Sequence, residues 1–383
     1  MKILHVASFS GNIGDNANHS GLRFLLDEYI GSISEYTELE IRKCYQIYSG
    51  ANRWQFDDTF VRLANNHDLV IIGGGNYFEP WLDASSTGTT IDLAPEVLEK
   101  ICKPLVFFGV GFDIHKGASA ENLEKFRLFM EATLAREKTL VTFRNDGSIK
   151  NFREALPFLD SNCIYRVPDG GFFIQCNVQQ YPFINLDSRY WGINIASDMK
   201  ERRFPSGLQG SLGWNEFIVD YTKLLSKALD ADPNLKLLFF PHIFKDLEAI
   251  SELLAALDDS YCRDRLIVAP FLNGWQGADY IFGLYRHCEL VMGMRFHANV
   301  CAIGMNVPVI PLASYPKLYD LYEELEIQDR VVWVNQQGFT GKLEKQIHDY
   351  NAQREILKAD NLVLVQRLRE DVDSFFPRLE ALL

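Results

Sequence analysis

The segment CELVMGMRFHANVCAIGMNVPVIPL, at residues 288–312, decides the fold. Its apolar start at residues 289–293 has the composition of a buried strand, a helical pattern follows, and residues 307–312 have the composition of the next buried strand. This order is typical of a parallel α/β sheet, in which the residues just after each strand line the ligand crevice. Arg295 and His297 occupy that position. A guanidinium that binds carboxylate or phosphate, beside an imidazole that titrates near neutral pH, predicts a small anionic substrate and acid–base chemistry.

Strand-like apolar runs alternate with helical patterns along the whole chain. In the first half these runs span residues 3–7, 39–44, 68–72, 105–110, 139–143 and 164–167. In the second half they span residues 190–196, 235–240, 265–269, 289–292, 307–312 and 331–334. Because such alternation is typical of parallel sheets covered by helices, we expect an α/β fold of two doubly wound, Rossmann-like domains that face each other across a cleft.

The domain boundaries follow from the looser stretch at residues 175–188, which separates the two series of strands. We expect an N-terminal Rossmann-like domain at residues 1–180 and a C-terminal Rossmann-like domain at residues 188–340. Residues 341–383 have a helical pattern, and we expect these C-terminal helices to brace the domains.

Length and composition agree with two globular domains. The chain has 383 residues, of which 47% are hydrophobic and 23% are charged. Its 38 basic and 51 acidic residues give a net charge of -13, which argues against a nucleic-acid partner. The start reads as a first strand rather than a signal peptide, and no apolar run approaches the ~20 residues of a membrane-spanning helix, so we expect a cytoplasmic protein. Seven scattered cysteines without a CxxC pair indicate free thiols and argue against disulfides or a zinc site.

Two glycine-containing motifs follow strands of the first series. GNIGDNA, at residues 11–17, precedes a helical pattern, and its glycines and helix N-terminus suit an anion, with Asp15 and Asn16 as candidate contacts. Equally, Asp15 and Asn16 can serve only as a helix cap. GGGNYF, at residues 73–78, ends the third strand, and its consecutive glycines favour a ligand-facing loop whose candidate contacts are Gly74, Gly75 and Asn76.

Charged side chains follow several other strands. Arg144 lies just beyond the fifth strand and Asp169 just beyond the sixth, although each alone is compatible with an ion pair or a turn cap. His242 follows a buried strand of the second series, Asp246 is the expected N-cap of the next helix, and Lys317 adds a cation after residues 307–312. No HExxH, GxSxG or P-loop motif is present, so we expect chemistry without a bound metal or cofactor.

Together these motifs resemble those of the polysaccharide pyruvyl transferase family. The resemblance is carried chiefly by MGMRFHANVCAIGMNVPVIPL at residues 292–312, which is similar to the family's G-x-R-x-H segment and the strand after it. Met294 stands between Gly293 and Arg295, and the spacing from Arg295 to His297 is that of the family. NIGDNA, GGGNYF, FRND, VPDGGFF and FPHIFKD match in the family's order, so the likeness extends from residue 12 to residue 317.

The resemblance implies a GT-B-like fold and the transfer of a pyruvyl group from phosphoenolpyruvate to a sugar. The product would be a cyclic ketal on a cell-surface polysaccharide or its lipid-linked precursor, with phosphate released and no cofactor besides the donor substrate. The first domain would bind the glycan acceptor and the second domain the donor.

The same resemblance implies roles for individual residues. His297 would transfer the proton, Arg295 would hold the donor carboxylate or phosphate, and Asp169 or Asp15 would orient or deprotonate the acceptor hydroxyl. The two anionic groups of the donor require cations, and the further candidates are His242, Lys317 and Arg144. The aromatic residues after the triple glycine are candidates for stacking on a sugar face, namely Tyr77, Phe78 and Trp81.

Two other functions remain open. A nucleotide-sugar glycosyltransferase has the same two-domain architecture, but Glu289 and Asp320 are poorly placed to bind a ribose. A glycan-binding protein without turnover is also compatible, although it has no need of a proton-transferring His297 beside Arg295. A lipid-linked acceptor requires at most peripheral contact with the inner face of the membrane, and the sequence leaves the oligomeric state open.

Overall fold

The computed structural model describes residues 1–160, 163–205 and 207–383. These described residues form two compact units. Unit 1 comprises Met1–Ser10, Leu22–Gly170 and Arg367–Leu383, and unit 2 comprises Gly11–Gly21 and Gly171–Gln366. Residues 11–21 are therefore grouped with unit 2, whereas the strand pattern had suggested a first domain that runs from residue 1 to residue 180.

Unit 1 contains a parallel sheet. Over the described residues its spatial strand order is β2-β1-β3-β4-β5-β6, with β1 (Lys2–Ala7), β2 (Glu35–Glu40), β3 (Leu69–Phe78), β4 (Leu105–Phe112), β5 (Thr139–Arg144) and β6 (Ile164–Val167). β3 and β4 are buried along nearly their whole lengths, as expected for apolar strands inside a parallel sheet. Phenylalanines fill this core, where the ring of Phe78 packs against Phe107 and Phe126.

Unit 2 contains a second parallel sheet. Its spatial strand order, over the part of the chain that the structure describes, is β12-β11-β10-β7-β8-β9, with β7 (Arg189–Asn194), β8 (Leu235–Phe239), β9 (Leu266–Val268), β10 (Leu290–Gly293), β11 (Val309–Ala313) and β12 (Val332–Trp333). β8 and β9 follow β7 towards one edge of the sheet, whereas β11 and β12 follow β10 towards the other edge. The strand order therefore reverses between the neighbouring strands β7 and β10. Ligands of such sheets bind beyond the carboxyl ends of the strands at that reversal. Asn194 and Gly293, which pair there, mark the expected ligand site.

Helices connect the strands in both units. In chain order they are α1 (Ile13–Ile30), α2 (Asp58–Asn65), α3 (Pro95–Leu98), α4 (Ala120–Leu134), α5 (Ser148–Ala155), α6 (Lys200–Arg203), α7 (Trp214–Ala231), α8 (Phe244–Ala256), α9 (Asp259–Asp264), α10 (Gly274–Leu284), α11 (Phe296–Gly304), α12 (Pro316–Glu324), α13 (Phe339–Ala352) and α14 (Arg354–Leu382). The end of α14 belongs to unit 1, where Phe376 stacks on Tyr29 and Phe375 contacts Phe108 edge-on. The doubly wound α/β architecture predicted from the alternating pattern is confirmed.

One predicted strand of unit 1 is wrong. Residues 39–44 were expected to form it, but β2 ends at Glu40 and a 3-10 helix follows at Ile41–Cys44. The side chain of Glu40 accepts a hydrogen bond from the N–H of Arg42 at 3.1 Å, which stabilises the turn. Because β2 is partly exposed along its length, it lacks the apolar run that identifies the other strands.

The expected glycine loop at residues 73–78 is also wrong, because these residues lie inside β3. Gly73 has a φ of 148°, and a Cβ there would lie 1.9 Å from the carbonyl oxygen of Phe108 on β4. Gly74 and Gly75 are buried as well, and the close approach between β3 and β4 occurs at Gly73. Tyr77 is 3% exposed and Phe78 is 0% exposed, so both are core residues and are unavailable for stacking on a sugar.

Candidate functional site

Polar side chains of unit 2 gather at the carboxyl ends of its central strands. Asn194 ends β7, His242 follows β8, Arg295 and His297 follow β10, and Lys317 lies in the first turn of α12 after β11. Asn194 links two of these strand ends, because its Oδ1 accepts from the N–H of Arg295 at 2.9 Å and its Nδ2 donates to a backbone carbonyl after β8 at 2.8 Å. The reversal of strand order thus brings Arg295 and His242 to one edge of the sheet.

Two carboxylates hold the guanidinium of Arg295. Its Nε donates to Oδ2 of Asp246 at 2.7 Å, and its Nη2 donates to Oδ1 of Asp246 and to Oδ1 of Asp198, the latter at 2.8 Å. Burial lowers the pKa of Arg295, but the two carboxylates outweigh burial and raise this pKa above its ordinary value. The positive charge of Arg295 is therefore permanent, and its orientation is fixed.

Asp246 also organises the backbone around the site. Its carboxylate is 0% exposed and accepts from the N–H groups of His242 at 2.9 Å and Ile243 at 3.2 Å. The N-cap of α8 is Ile243, so the prediction that Asp246 is the N-cap is wrong. Asp246 lies in the first turn of α8, and its side chain turns back towards the backbone before the helix. A negative charge there is stabilised by the helix dipole.

Asp198 and Arg203 complete this group, and sequence reasoning missed both. The Nε of Arg203 donates to the carbonyl of Asp198 at 2.9 Å, and its Nη2 lies 3.5 Å from Oδ2 of Asp198. Burial raises the pKa of Asp198, but Arg295 and Arg203 together bring it below its ordinary value. The available signal was the charged run DMKERR, which begins two residues after the strand predicted at residues 190–196.

His242 is a neutral, fully buried histidine. Its Nε2 is hydrogen-bonded to the hydroxyl of Tyr285 at 2.8 Å, and its side chain is 0% exposed. Burial, followed by the charges of Arg295 and His297, lowers the pKa of His242 well below 6.5. His242 therefore does not supply the positive charge that we expected of it near neutral pH.

We expect the neutral His242 to make the free energy of unfolding fall in mild acid. Its folded pKa lies below its unfolded value of 6.5, so its stabilising contribution is complete above pH 6.5 and is lost as the pH falls towards the folded pKa. The limiting slope for one such group is ~1.4 kcal/mol per pH unit. Urea unfolding between about pH 7 and 5 should show that His242→Gln reduces this slope. His348→Gln, an exposed control on α13, should retain the wild-type slope, and equal slopes in all three proteins would contradict the prediction.

The GNIGDNA motif begins α1 and lies in unit 2. Asn12 caps the helix, because its Oδ1 accepts from the N–H of Gly14 at 3.0 Å, and its Nδ2 donates to Asp15 at 3.0 Å. Asn16 is fully buried, and its Oδ1 accepts from the N–H of Gly274 at 3.1 Å. The cap is therefore Asn12, whereas Asp15 lies partly exposed in the first turn and Asn16 fastens that turn to α10.

His297 lies in the first turn of α11 and is 7% exposed. Its ring contacts Phe296 edge-on, and the Nζ of Lys317 lies 5.8 Å from the centroid of the Phe296 ring. The imidazole packs closely on the backbone of Gly14, since a Cβ at Gly14 would lie 2.4 Å from Nδ1 of His297. His297 thus shares the start of α11 with Arg295, and Lys317 lies over the ring of the neighbouring Phe296.

The other predicted charged residues lie in unit 1. Arg144 is 3% exposed, and it donates to Asp169 at 3.0 Å through Nη1 and to Asp146 at 2.9 Å through Nε. Burial lowers the pKa of Arg144, but the two carboxylates raise it above its ordinary value. The N–H of Asp169 also donates to Oδ1 of Asn145 at 3.0 Å. Arg144 and Asp169 thus form a buried ion group at the ends of β5 and β6, in which two carboxylates offset the charge of this candidate donor-binding cation.

Asn76 is the remaining predicted contact of unit 1. Its Nδ2 donates to Glu79 and, at 3.3 Å, to Oδ2 of Asp113. The Nε1 of Trp81 donates to the other oxygen of Glu79 at 3.0 Å. Asn76 and Trp81 are both half-buried beside the carboxylates of Glu79 and Asp113.

Within residues 1–160, 163–205 and 207–383, no group of three or more His, Cys, Asp or Glu is arranged to hold a metal ion. No helix within the same ranges is long and apolar enough to cross a membrane. The cysteines are free thiols.

Known structures share the fold. A Listeria monocytogenes protein assigned as a UDP-N-acetylglucosamine 2-epimerase superposes with a TM-score of 0.60 at 12% identity, over 98% of this chain and 97% of that chain. The UDP-GlcNAc 2-epimerase from Neisseria meningitidis, bound to UDP-GlcNAc, gives a TM-score of 0.54 at 11% identity, over 97% and 100%. The spinosyn rhamnosyltransferase SpnG, complexed with spinosyn aglycone, gives 0.51 at 12% identity, over 99% and 100%. The expected GT-B-like fold with two Rossmann-like domains is confirmed, and identities this low establish the fold alone.

The sequence itself identifies the family. Among curated protein sequences, none is significantly similar to this chain. The family model for polysaccharide pyruvyl transferases matches residues 12–315, which include the GNIGDNA segment from Asn12 onward as well as Arg295 and His297. This match covers most of the chain, and therefore the chain belongs to the polysaccharide pyruvyl transferase family.

Proposed function

We propose that the protein transfers the pyruvyl group of phosphoenolpyruvate to two hydroxyls of one sugar and forms a cyclic ketal. The sugar belongs to a cell-surface polysaccharide or its lipid-linked precursor. C2 of the donor gains two C–O bonds to the sugar, and its C–O bond to phosphate breaks. Of the two hydroxyl protons released, one is balanced by the proton that converts the donor methylene to a methyl group, and the other leaves with phosphate. Family membership supports the transferase activity, and the donor and the product are our inference.

The observation that carries this proposal is the placement of Arg295 and His297 at the start of α11, where the strand order of unit 2 reverses. His297 protonates the donor methylene, which creates positive character at C2, and a sugar hydroxyl then attacks this carbon. Arg295 holds the donor carboxylate or phosphate. Because Asp246 and Asp198 already orient its guanidinium, this charge needs no reorganisation during the reaction.

The formal charges around Arg295 cancel. Arg295 and Arg203 are offset by Asp246 and Asp198. The two anionic groups of phosphoenolpyruvate therefore need further positive potential, which we assign to Lys317 and to the N-termini of α11 and α12. The side chain of His242 stays neutral and adds no charge, whereas its backbone N–H donates to Asp246 and helps to position that carboxylate.

Asp15 is our candidate for orienting the acceptor hydroxyl. It is partly exposed and directly follows Gly14, whose backbone contacts His297 in the same unit. The alternative, Asp169, is 1% exposed and already accepts a hydrogen bond from Arg144. In unit 1 the half-buried Asn76 remains the candidate acceptor contact of the glycine motif.

Phosphate release from phosphoenolpyruvate tests this proposal. The protein is incubated with the donor, with and without lipid-linked or aryl-linked galactose and mannose acceptors. We expect acceptor-dependent phosphate release and a product whose mass equals that of the acceptor plus phosphoenolpyruvate minus phosphoric acid. If no acceptor in the panel elicits phosphate release and a nucleotide sugar stabilises the protein against heat, the proposal would be overturned in favour of glycosyl transfer.

A further inference from the structure

We propose that the first turn of α1 is a positioning element for His297, and that Gly14 sets the place of the imidazole. This inference rests on the proposed function, in which His297 transfers the proton. The first turn of α1 would thus support proton transfer by His297, although the two are far apart in the sequence. The segment and His297 belong to the same unit.

The contact between Gly14 and His297 leaves no room for a side chain. A Cβ at Gly14 would lie 2.4 Å from Nδ1, 2.6 Å from Cγ and 2.6 Å from Cβ of His297. Rotation about the Cα–Cβ bond of His297 moves its ring but leaves its Cβ in place, so a rotamer change cannot relieve the last contact. α11 is buried from His297 to Ile303, which restricts its displacement. A substitution at Gly14 must therefore move His297 or the turn of α1.

The turn of α1 is fastened on several sides. The N–H of Ile13 donates to the carbonyl of His242 at 3.1 Å, and the N–H of Gly11 donates to Oδ1 of Asn273 at 2.9 Å. Asn16 accepts from the first turn of α10 at 3.1 Å, and Ile13 packs against Gly277 of the same helix. Two of these contacts use backbone N–H groups of the segment and two use the side chains of Asn16 and Ile13, so the position of the turn relative to the imidazole is well defined.

One series of contacts connects this turn with the anchor of Arg295. The backbone of His242 binds Ile13 through its carbonyl and Asp246 through its N–H. Asp246 binds Arg295, which stands two residues before His297. The backbone of His242 thus contacts the turn of α1 and also holds the carboxylate that orients Arg295.

The test compares Gly14→Ala with Gly341→Ala. Both glycines lie in helices, but a Cβ at Gly341 meets nothing within 4 Å, so the control gains the same methyl group without a clash. We expect Gly14→Ala to lower kcat for acceptor-dependent phosphate release by ~10–100-fold with a smaller change in KM, since a displacement of about 1 Å can cost that much. Gly341→Ala should retain both constants.

Imidazole NMR separates this inference from the proposed function. Proton–nitrogen correlations of the His297 ring should shift in Gly14→Ala and stay unchanged in Gly341→Ala, whichever substrate the protein uses. Unchanged ring signals and unchanged kcat in folded Gly14→Ala would overturn the inference. If the His297 ring signals shift in Gly14→Ala but the wild type releases no phosphate from phosphoenolpyruvate, the contact is supported and the proposed donor is wrong.

A second variant serves if Gly14→Ala does not fold. Asn273→Ala removes the bond to the N–H of Gly11 from an exposed side chain and adds no atom near His297. We expect it to broaden or shift the His297 ring signals and to lower kcat several-fold. If Asn273→Ala has the wild-type signals and kcat, the turn does not position the imidazole.

Discussion

Replacing His297 with alanine is expected to lower acceptor-dependent phosphate release from phosphoenolpyruvate by about 10²–10⁴-fold, the usual contribution of a positioned general acid or base. The imidazole is 7% exposed and lies in the first turn of α11, beside the anchored Arg295. Its removal leaves the donor site in place but takes away the group that protonates the methylene carbon. KM for the donor should therefore change less than kcat.

The control for this experiment is His348→Ala, which removes an exposed imidazole on α13. It should leave kcat unchanged. Urea unfolding of both variants should confirm that each retains a folded state. A folded His297→Ala protein with near-normal turnover would exclude His297 as the proton-transferring residue.

Replacing Asp246 with alanine is expected to lower the free energy of unfolding by ~3–5 kcal/mol, because it leaves the buried guanidinium of Arg295 without its main partner. Asp246 is 0% exposed and contributes both carboxylate oxygens to Arg295. The substitution also removes the acceptor for the N–H groups of His242 and Ile243. Denaturant unfolding at neutral pH measures the loss.

Two further variants show whether the loss comes from an unpaired charge. Arg295→Met combined with Asp246→Ala should be less destabilised than the two single changes predict together, because no unpaired guanidinium remains. Asp259→Ala, which breaks the exposed pair with Arg263, should leave stability nearly unchanged. If Asp246→Ala unfolds like Asp259→Ala, the Arg295 anchor contributes little to stability.

The sequence predicted the features that depend on local patterns. Continuous apolar runs identified the interior strands such as β10, because a strand buried on both faces has no polar alternation. Arg295 and His297 follow β10 immediately, so the position of the strand end fixed theirs. The edge strand β2 escaped detection for the opposite reason, since its side chains are partly exposed.

Features that depend on contacts between distant parts of the chain could not be predicted from the sequence. Asp198 and Arg203 follow β7, and their link to Arg295 exists only because β7 lies beside β10 in the sheet. The glycines around Gly73 suggested a ligand loop, but they are buried in β3, and the backbone of Gly73 packs against the neighbouring strand β4. Burial, which makes His242 neutral, is likewise a property of the folded chain.

Neither unit is continuous along the chain, and this division affects how the protein folds during synthesis. Unit 1 needs Arg367–Leu383, and unit 2 needs both Gly11–Gly21 and the chain as far as Gln366. Multidomain chains commonly fold from the N-terminus as they leave the ribosome. Here unit 2 remains incomplete until Gln366 has been made, and unit 1 remains incomplete until residues 367–383 follow. Nascent chains stalled before Gln366 should therefore stay sensitive to proteases and dependent on chaperones, and resistance should appear late.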